Sequence, residues 1–126
     1  MGRMPSHRDL IVWQRSMALA RRVYQISQSF PPYEMYGLTS QLRRAVVSIP
    51  ANIAEGHGRR TDGAFARHLD IALGSVAEVD TLLQMAMELN YLSKPLYQEL
   101  TLNLEEIRRM LHTLYNKVKL DANGKN

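Results

Sequence analysis

One stretch of the sequence repeats apolar residues at alternating steps of four and three. The seven positions are Phe65, Leu69, Ala72, Val76, Val79, Leu83 and Ala86. This spacing puts every side chain on one face of an α-helix, whereas a β-strand would alternate them between two faces. It therefore predicts a helix over residues 62–89, about 40 Å long, whose apolar face packs against other helices.

Three further segments, at 9–29, 38–55 and 94–119, have helical periodicity. Their apolar faces comprise, in that order, Leu10, Val12, Trp13, Met17, Leu19, Ala20, Val23, Tyr24 and Ile26; Leu42, Val46, Ile49 and Ile53; and Tyr97, Leu100, Leu104, Ile107, Leu111, Leu114 and Val118. Four helices with short connections predict an all-α, up-down-up-down antiparallel four-helix bundle. We expect one domain over 1–126, with an ordered core at about 8–119 and flexible termini.

The segment S-I-P-A-N-I-A-E-G-H-G-R-R, at positions 48–60, joins the second helix to the third. Pro50 removes one helix hydrogen bond and predicts a kink rather than a break. A polar network of Ser48, Asn52 and Glu55 would satisfy the freed backbone groups. Gly56 is expected to end the second helix and Thr61 to cap the third.

The two arginines that end this segment, Arg59 and Arg60, leave two interpretations open. They precede the third helix, whose N-terminal N–H groups favour anions, so they would hold a phosphate there. Alternatively, they face water. The spacing of a nucleotide-binding phosphate loop is absent, because a helix rather than a strand precedes the glycines and no lysine follows them.

Positive charge is concentrated in the first half of the chain. Residues 1–60 hold nine arginines and three acids, a net charge of +6, whereas residues 61–126 carry a net charge of −2. Arginine forms planar, bidentate contacts with phosphates and carboxylates, so this bias suits nucleic acid or an acidic partner. Internal ion pairs are the alternative, and Glu105 with Arg109 is expected to form one on the fourth helix.

The sequence contains no constellation that indicates catalysis or metal binding. It has no cysteine, and no carboxylate lies three residues before His57, His68 or His112, as a di-iron bundle requires. Trp13 and the six tyrosines are interpreted as core and interface anchors. No apolar run reaches the roughly 20 residues of a membrane span, and no secretion signal is seen, so a cytoplasmic location is expected.

Several motifs resemble a known bacterial family. The block Q-L-R-R-A-V-V-S-I-P-A-N-I-A-E-G-H-G-R-R, at 41–60, looks like the signature of the four-helix bundle proteins called 23S rRNA intervening-sequence proteins. D-L-I-V-W-Q-R at 9–15, F-A-R-H-L-D-I-A-L-G-S-V-A-E-V at 65–79 and E-L-N-Y-L-S at 88–93 resemble its other helices and third turn. The similarity covers about residues 8–118, with small departures at Gly63, Ala64, His68 and Asp70.

The resemblance implies a bundle that assembles as a homopentamer. It also implies kinship with the accessory variability protein of diversity-generating retroelements, a basic pentameric barrel that binds nucleic acid and a reverse transcriptase. The resemblance implies a fold more directly than an activity.

These observations together predict a non-enzymatic, oligomeric protein that binds nucleic acid, RNA above all, and needs no metal or cofactor. Arginines would contact phosphates without reading sequence. The residues predicted to do so are Arg8, Arg15, Arg22, Arg43, Arg44, Arg59 and Arg60. The alternative is an oligomeric scaffold that recruits a protein partner such as a reverse transcriptase, and a membrane partner is not expected.

Overall fold

A computed structural model describes residues 3–124 of the chain, and this part contains four α-helices and no β-strand. Two short 3-10 turns, His7–Asp9 and Pro32–Glu34, precede the first and second helices. The helices are α1, Ile11–Ser27; α2, Leu38–His57; α3, Asp62–Glu88; and α4, Lys94–Gly124. The sequence therefore predicts the number and order of the helices correctly.

The helices pack around one apolar core, each antiparallel to its neighbour. Between α2 and α3, Asn52 contacts His68 and Ser48 contacts Ser75, so the residue number falls along one helix as it rises along the other. Every member of the predicted α2 and α3 faces is buried. In α4, five of the seven predicted positions are buried, and Tyr97 and Leu114 are half-buried.

The buried face of α1 is rotated from the predicted one. Ser16 is fully buried, and its hydroxyl donates a hydrogen bond of 2.7 Å to the Val12 carbonyl. Ser27 is also buried, whereas the predicted core residue Tyr24 is exposed. A serine that bonds to its own helix satisfies its polar group and packs as a small residue, so apolar periodicity alone misses it.

The link between α2 and α3 differs from prediction at one glycine. Helix α2 continues through Pro50 to His57, and Gly58, not Gly56, follows its last residue. Gly56 is buried inside the helix, where an added Cβ would lie 2.6 Å from the His68 Cβ. Its small size therefore allows α2 and α3 to approach closely. The predicted cap is confirmed, because Thr61 accepts the Ala64 N–H at 3.1 Å.

The predicted polar network near Pro50 forms in part. The Asn52 amide donates to the Ser48 carbonyl at 2.8 Å, and the hydroxyl oxygens of Ser48 and Ser75 lie 2.5 Å apart. The Asn52 amide oxygen also lies 3.2 Å from the His68 Nδ1. Glu55 does not join this network and pairs with Arg59 instead.

Both ends of the chain are more ordered than predicted where the structure describes them. The Arg3 guanidinium donates to the His57 carbonyl at 2.8 Å, and the Met4 carbonyl lies 2.7 Å from the His57 Nε2. Helix α4 extends to Gly124 instead of ending near Lys119. Residues 1–2 and 125–126, which also belong to the predicted flexible termini, lie outside the described part.

The bundle has two chemically different ends. We call the arginine end the one formed by residues 3–9, the α2–α3 turn and the last turns of α4. We call the tyrosine end the opposite one, where residues 30–37 meet the α3–α4 turn. Within residues 3–124, no helix combines the length and the apolar character that a bilayer span requires.

Candidate nucleic-acid interface

The twelve arginines of the chain divide into two equal sets. The paired set has a hydrogen-bond or ion-pair partner for each guanidinium and comprises Arg3, Arg15, Arg22, Arg43, Arg59 and Arg108. The unpaired set has no such partner within residues 3–124, and all of its members are exposed: Arg8, Arg21, Arg44, Arg60, Arg67 and Arg109. Only an unpaired guanidinium keeps its donors free for an incoming anion.

Two of the predicted phosphate contacts are engaged between α1 and α4. Arg15 forms an ion pair with Glu106, and Arg22 lies 3.3 Å from Glu99. Both arginines and both acids are seven residues apart, as antiparallel helices in register require. All four side chains are about half exposed, so these pairs contribute little to stability, and they orient α1 against α4.

The adjacent arginines of α2 have different environments. The Arg43 Nε donates to the Ser27 hydroxyl at 2.9 Å, and its guanidinium carbon lies 4.8 Å from the centre of the Tyr24 ring. Arg43 therefore fixes the end of α1 against α2. Arg44 has no partner among the described residues and faces a polar cavity of about 580 Å³.

The turn before α3 separates Arg59 from Arg60. Arg59 donates to the Glu55 carboxylate at 2.9 Å, whereas the Arg60 guanidinium has no partner in residues 3–124. Asp62 lies in the first turn of α3 and contacts Arg3 at 3.2 Å. A carboxylate thus already complements the positive end of this helix, which disfavours a bound anion at the same N–H groups.

Three unpaired arginines were not predicted as contacts: Arg21, Arg67 and Arg109. The sequence analysis wrongly paired Arg109 with Glu105, because Glu105 bonds in bidentate fashion to Arg108. That hydrogen bond holds the pKa of Glu105 below its usual value and raises the pKa of Arg108. Arg109 acts on Glu105 only through longer-range charge. The choice between the two arginines depends on side-chain geometry that the spacing does not specify.

The tyrosine end is organised by Glu34. Its carboxylate accepts the Tyr91 hydroxyl at 2.9 Å and the Leu38 N–H at 3.1 Å. The hydrogen bond with Tyr33, burial, and the Glu34 hydrogen bond and charge raise the pKa of Tyr91. Tyr33 and Tyr36 are 78% and 97% exposed, so their interpretation as core residues is wrong.

The described residues contain no grouping of three or more His, Asp or Glu side chains that would hold a metal ion. The candidate site is therefore built from cations and exposed aromatic rings. Of the seven predicted contacts, Arg8, Arg44 and Arg60 retain free guanidinium groups, and their role in binding stays a prediction. Arg15, Arg22, Arg43 and Arg59 are engaged within the chain.

The fold and surface define an all-α protein of four helices with unpaired surface arginines. The sequence profile of the 23S rRNA-intervening sequence protein family matches residues 8–113, and the chain belongs to this family. The chain is also similar to a crystal structure from Bacteroides thetaiotaomicron, of a protein with unknown function from the S23 ribosomal protein family. The TM-score is 0.78 at 23% sequence identity, over 83% of this chain and 98% of that chain. No curated protein matches the chain.

Proposed function

We propose that the protein binds nucleic acid, RNA above all, through its unpaired arginines and catalyses no reaction. The observation that carries the proposal is that six of the twelve arginines are exposed and lack a partner within residues 3–124. A guanidinium in water gains nothing from its own chain, whereas a phosphate offers it charge-assisted, bidentate hydrogen bonds. Membership in a family named for an rRNA-intervening sequence agrees with an RNA partner.

Binding of this kind would be governed by phosphate contacts and not by base sequence. Each phosphate neutralised by an arginine releases counterions, so affinity falls steeply as salt rises. The unpaired arginines lie on α1, α2, α3 and α4 and in the turns beside them, so one chain offers several weak contacts. Repetition of these contacts in an oligomer would raise affinity through avidity.

We also propose that the chain self-associates, with the homopentamer that the family resemblance implies as the expected state. A cavity of about 510 Å³ between the start of α1 and the end of α4 supports self-association. Its apolar lining includes Met4, Leu10, Ile11, Met110 and Leu114, and Ile11 is 57% exposed. Burial of such residues against another copy removes apolar surface from water.

Salt-titrated RNA binding combined with a mass measurement tests this proposal. We expect binding at low salt, a logarithmic affinity that falls linearly with the logarithm of salt concentration, and a mass of several chains. RNA should remain intact after prolonged incubation with the protein. An absence of binding at low salt, or an affinity that salt does not change, would contradict the binding proposal, and a single-chain mass would contradict self-association.

A protein adaptor is the second candidate, and the same apolar cavity favours it. Ile11 and Met4 are about half exposed there, and an apolar helix of another protein would cover them. The adaptor candidate predicts that an Ile11→Glu variant, which puts a charge into the cavity, loses a protein partner that survives nuclease treatment. Ile71→Glu, at a similarly exposed residue outside that cavity, serves as the control.

A further inference from the structure

Tyr36 is the most exposed large hydrophobic side chain among the described residues, at 97%, and its backbone is nevertheless well fixed. The preceding residue but one, Glu34, accepts the Leu38 N–H at 3.1 Å. The Gly37 N–H donates to the Glu34 carbonyl at 2.9 Å. The turn therefore holds the ring in water at a fixed place, which leaves its faces free for a ligand.

A polar cavity of about 580 Å³ begins at this ring and continues along α2. Its lining includes the Gln41 amide, the unpaired Arg44 guanidinium and, from α3, the Glu78 carboxylate. This volume lies within the range of sites that hold small organic ligands. An aromatic face, a free cation and an amide at one cavity match the three parts of a nucleotide: base, phosphate and base edge.

We infer that Tyr36 and Arg44 form a site for one unpaired nucleotide, so that the protein takes single-stranded nucleic acid in preference to a duplex. The base stacks on the Tyr36 ring, and Arg44 contacts the adjacent phosphate. Gln41 faces the base edge, where its amide both donates and accepts. This inference rests on the proposed function, because it specifies the form of nucleic acid that the arginines bind.

Glu78 limits what occupies the cavity. Its carboxylate only accepts hydrogen bonds and repels phosphate, so it faces base amino groups or ribose hydroxyls. Ser48 is engaged with Ser75 at 2.5 Å and leaves Gln41 and Arg44 as the main donors. The neighbouring Arg43 does not compete for the ligand, because Ser27 and the Tyr24 ring hold it. A duplex keeps its bases stacked on each other and cannot present one to Tyr36.

The test compares a single-stranded RNA of about ten nucleotides, within the usual site size, with its own duplex. Fluorescence anisotropy gives affinity, and 2-aminopurine placed in the single strand reports stacking. Tyr36→Leu keeps bulk but removes the ring, and Tyr36→Phe keeps the ring. Tyr33→Leu is the matched control, because Tyr33 is a second exposed tyrosine at the same end.

We expect Tyr36→Leu to weaken single-strand binding by about tenfold, which is typical for loss of one stacked base. Tyr36→Phe and Tyr33→Leu should bind like the unaltered protein, and none of the three should change duplex affinity. Arg44→Gln should reduce the salt slope, whereas Tyr36→Leu should not.

Two results would overturn the inference alone: unaltered single-strand binding by Tyr36→Leu, or a changed solution mass of that variant, which would place Tyr36 between protein copies. Failure of the unaltered protein to bind either RNA at low salt would overturn the proposed function as well. Salt-dependent binding by the unaltered protein keeps the two failures distinct.

Discussion

The arginine end and the tyrosine end close the same bundle with different chemistry. At the arginine end, Arg3 spans the His57 carbonyl and Asp62, and its guanidinium lies 4.8 Å from the centre of the Phe65 ring. At the tyrosine end, the Glu34 carboxylate joins Tyr91 to the start of α2. One end is fixed by a cation and the other by an anion, so both ends satisfy backbone groups that helix termini leave free.

The difference shows how each end retains free groups for binding. Acids near the arginine end engage Arg3 and Arg59 and leave Arg60 in water. Glu34 engages Tyr91 and leaves the Tyr36 ring in water. In both cases a structural partner is satisfied within the chain while its neighbour is exposed. Neighbouring residues of the same type therefore serve as matched controls for one another.

The largest expected effect concerns the close helix contact at the arginine end. In Gly56→Ala, the new methyl group would lie 2.6 Å from the His68 Cβ and 3.0 Å from the Phe65 Cδ1. We expect a loss of about 1–3 kcal/mol in the free energy of unfolding, because a packed core does not accept the added volume. Urea unfolding followed by circular dichroism measures it.

Gly74→Ala provides the control for that substitution, since nothing lies within 4 Å of an added Cβ in the middle of α3. It should stabilise the protein by about 0.5–1 kcal/mol through helix propensity. Equal effects of the two substitutions would show that Gly56 does not set the distance between α2 and α3.

A smaller effect separates the helix starts at the two ends. Thr61 accepts the Ala64 N–H at 3.1 Å, and Ser93 accepts the Leu96 N–H at 3.3 Å. Thr61→Ala should cost about 1 kcal/mol, as for other lost caps. Ser93→Ala should cost less, because its hydrogen bond is longer. Thermal unfolding of the two variants checks the order, and the reverse order would contradict it.

The smallest expected effect is a pH dependence at the tyrosine end. The pKa of Tyr91 is raised in the folded protein, so Tyr91 contributes stability below its ordinary pKa of 10.0, and this stability is lost as pH rises above that value. The free energy of unfolding should therefore fall more steeply above about pH 10 in the unaltered protein than in Tyr91→Phe. Parallel pH curves from urea unfolding would rule out this contribution.

The helices were predictable because their apolar faces repeat along the sequence itself. The buried positions of α2 and α3 follow directly from that period. The face of α1 did not, since Ser16 is buried by bonding to its own helix. The role of Gly56 also escaped prediction, because a glycine that permits close packing has the same sequence signal as one that ends a helix.

The pairing of the arginines was less predictable, because most partners lie on another helix or turn. The seven-residue spacing of Arg15 and Arg22 matches that of Glu99 and Glu106, but the match has meaning only once α1 and α4 are known to be adjacent. Exposure of Tyr36 was equally hidden, because a tyrosine suits both core and surface. Sequence therefore located the charge and the fold, and the structure separated paired from unpaired groups.

The salt dependence of RNA binding tests the central claim, that unpaired arginines carry the phosphate contacts, most directly. The comparison is between Arg60→Gln/Arg67→Gln and Arg15→Gln/Arg22→Gln, which remove equal charge from unpaired and paired positions. We predict that the first variant loses about 0.7 of salt slope per lost phosphate contact, and that the second keeps the slope of the unaltered protein. Equal losses in both variants, or a loss in the paired variant alone, would contradict the claim.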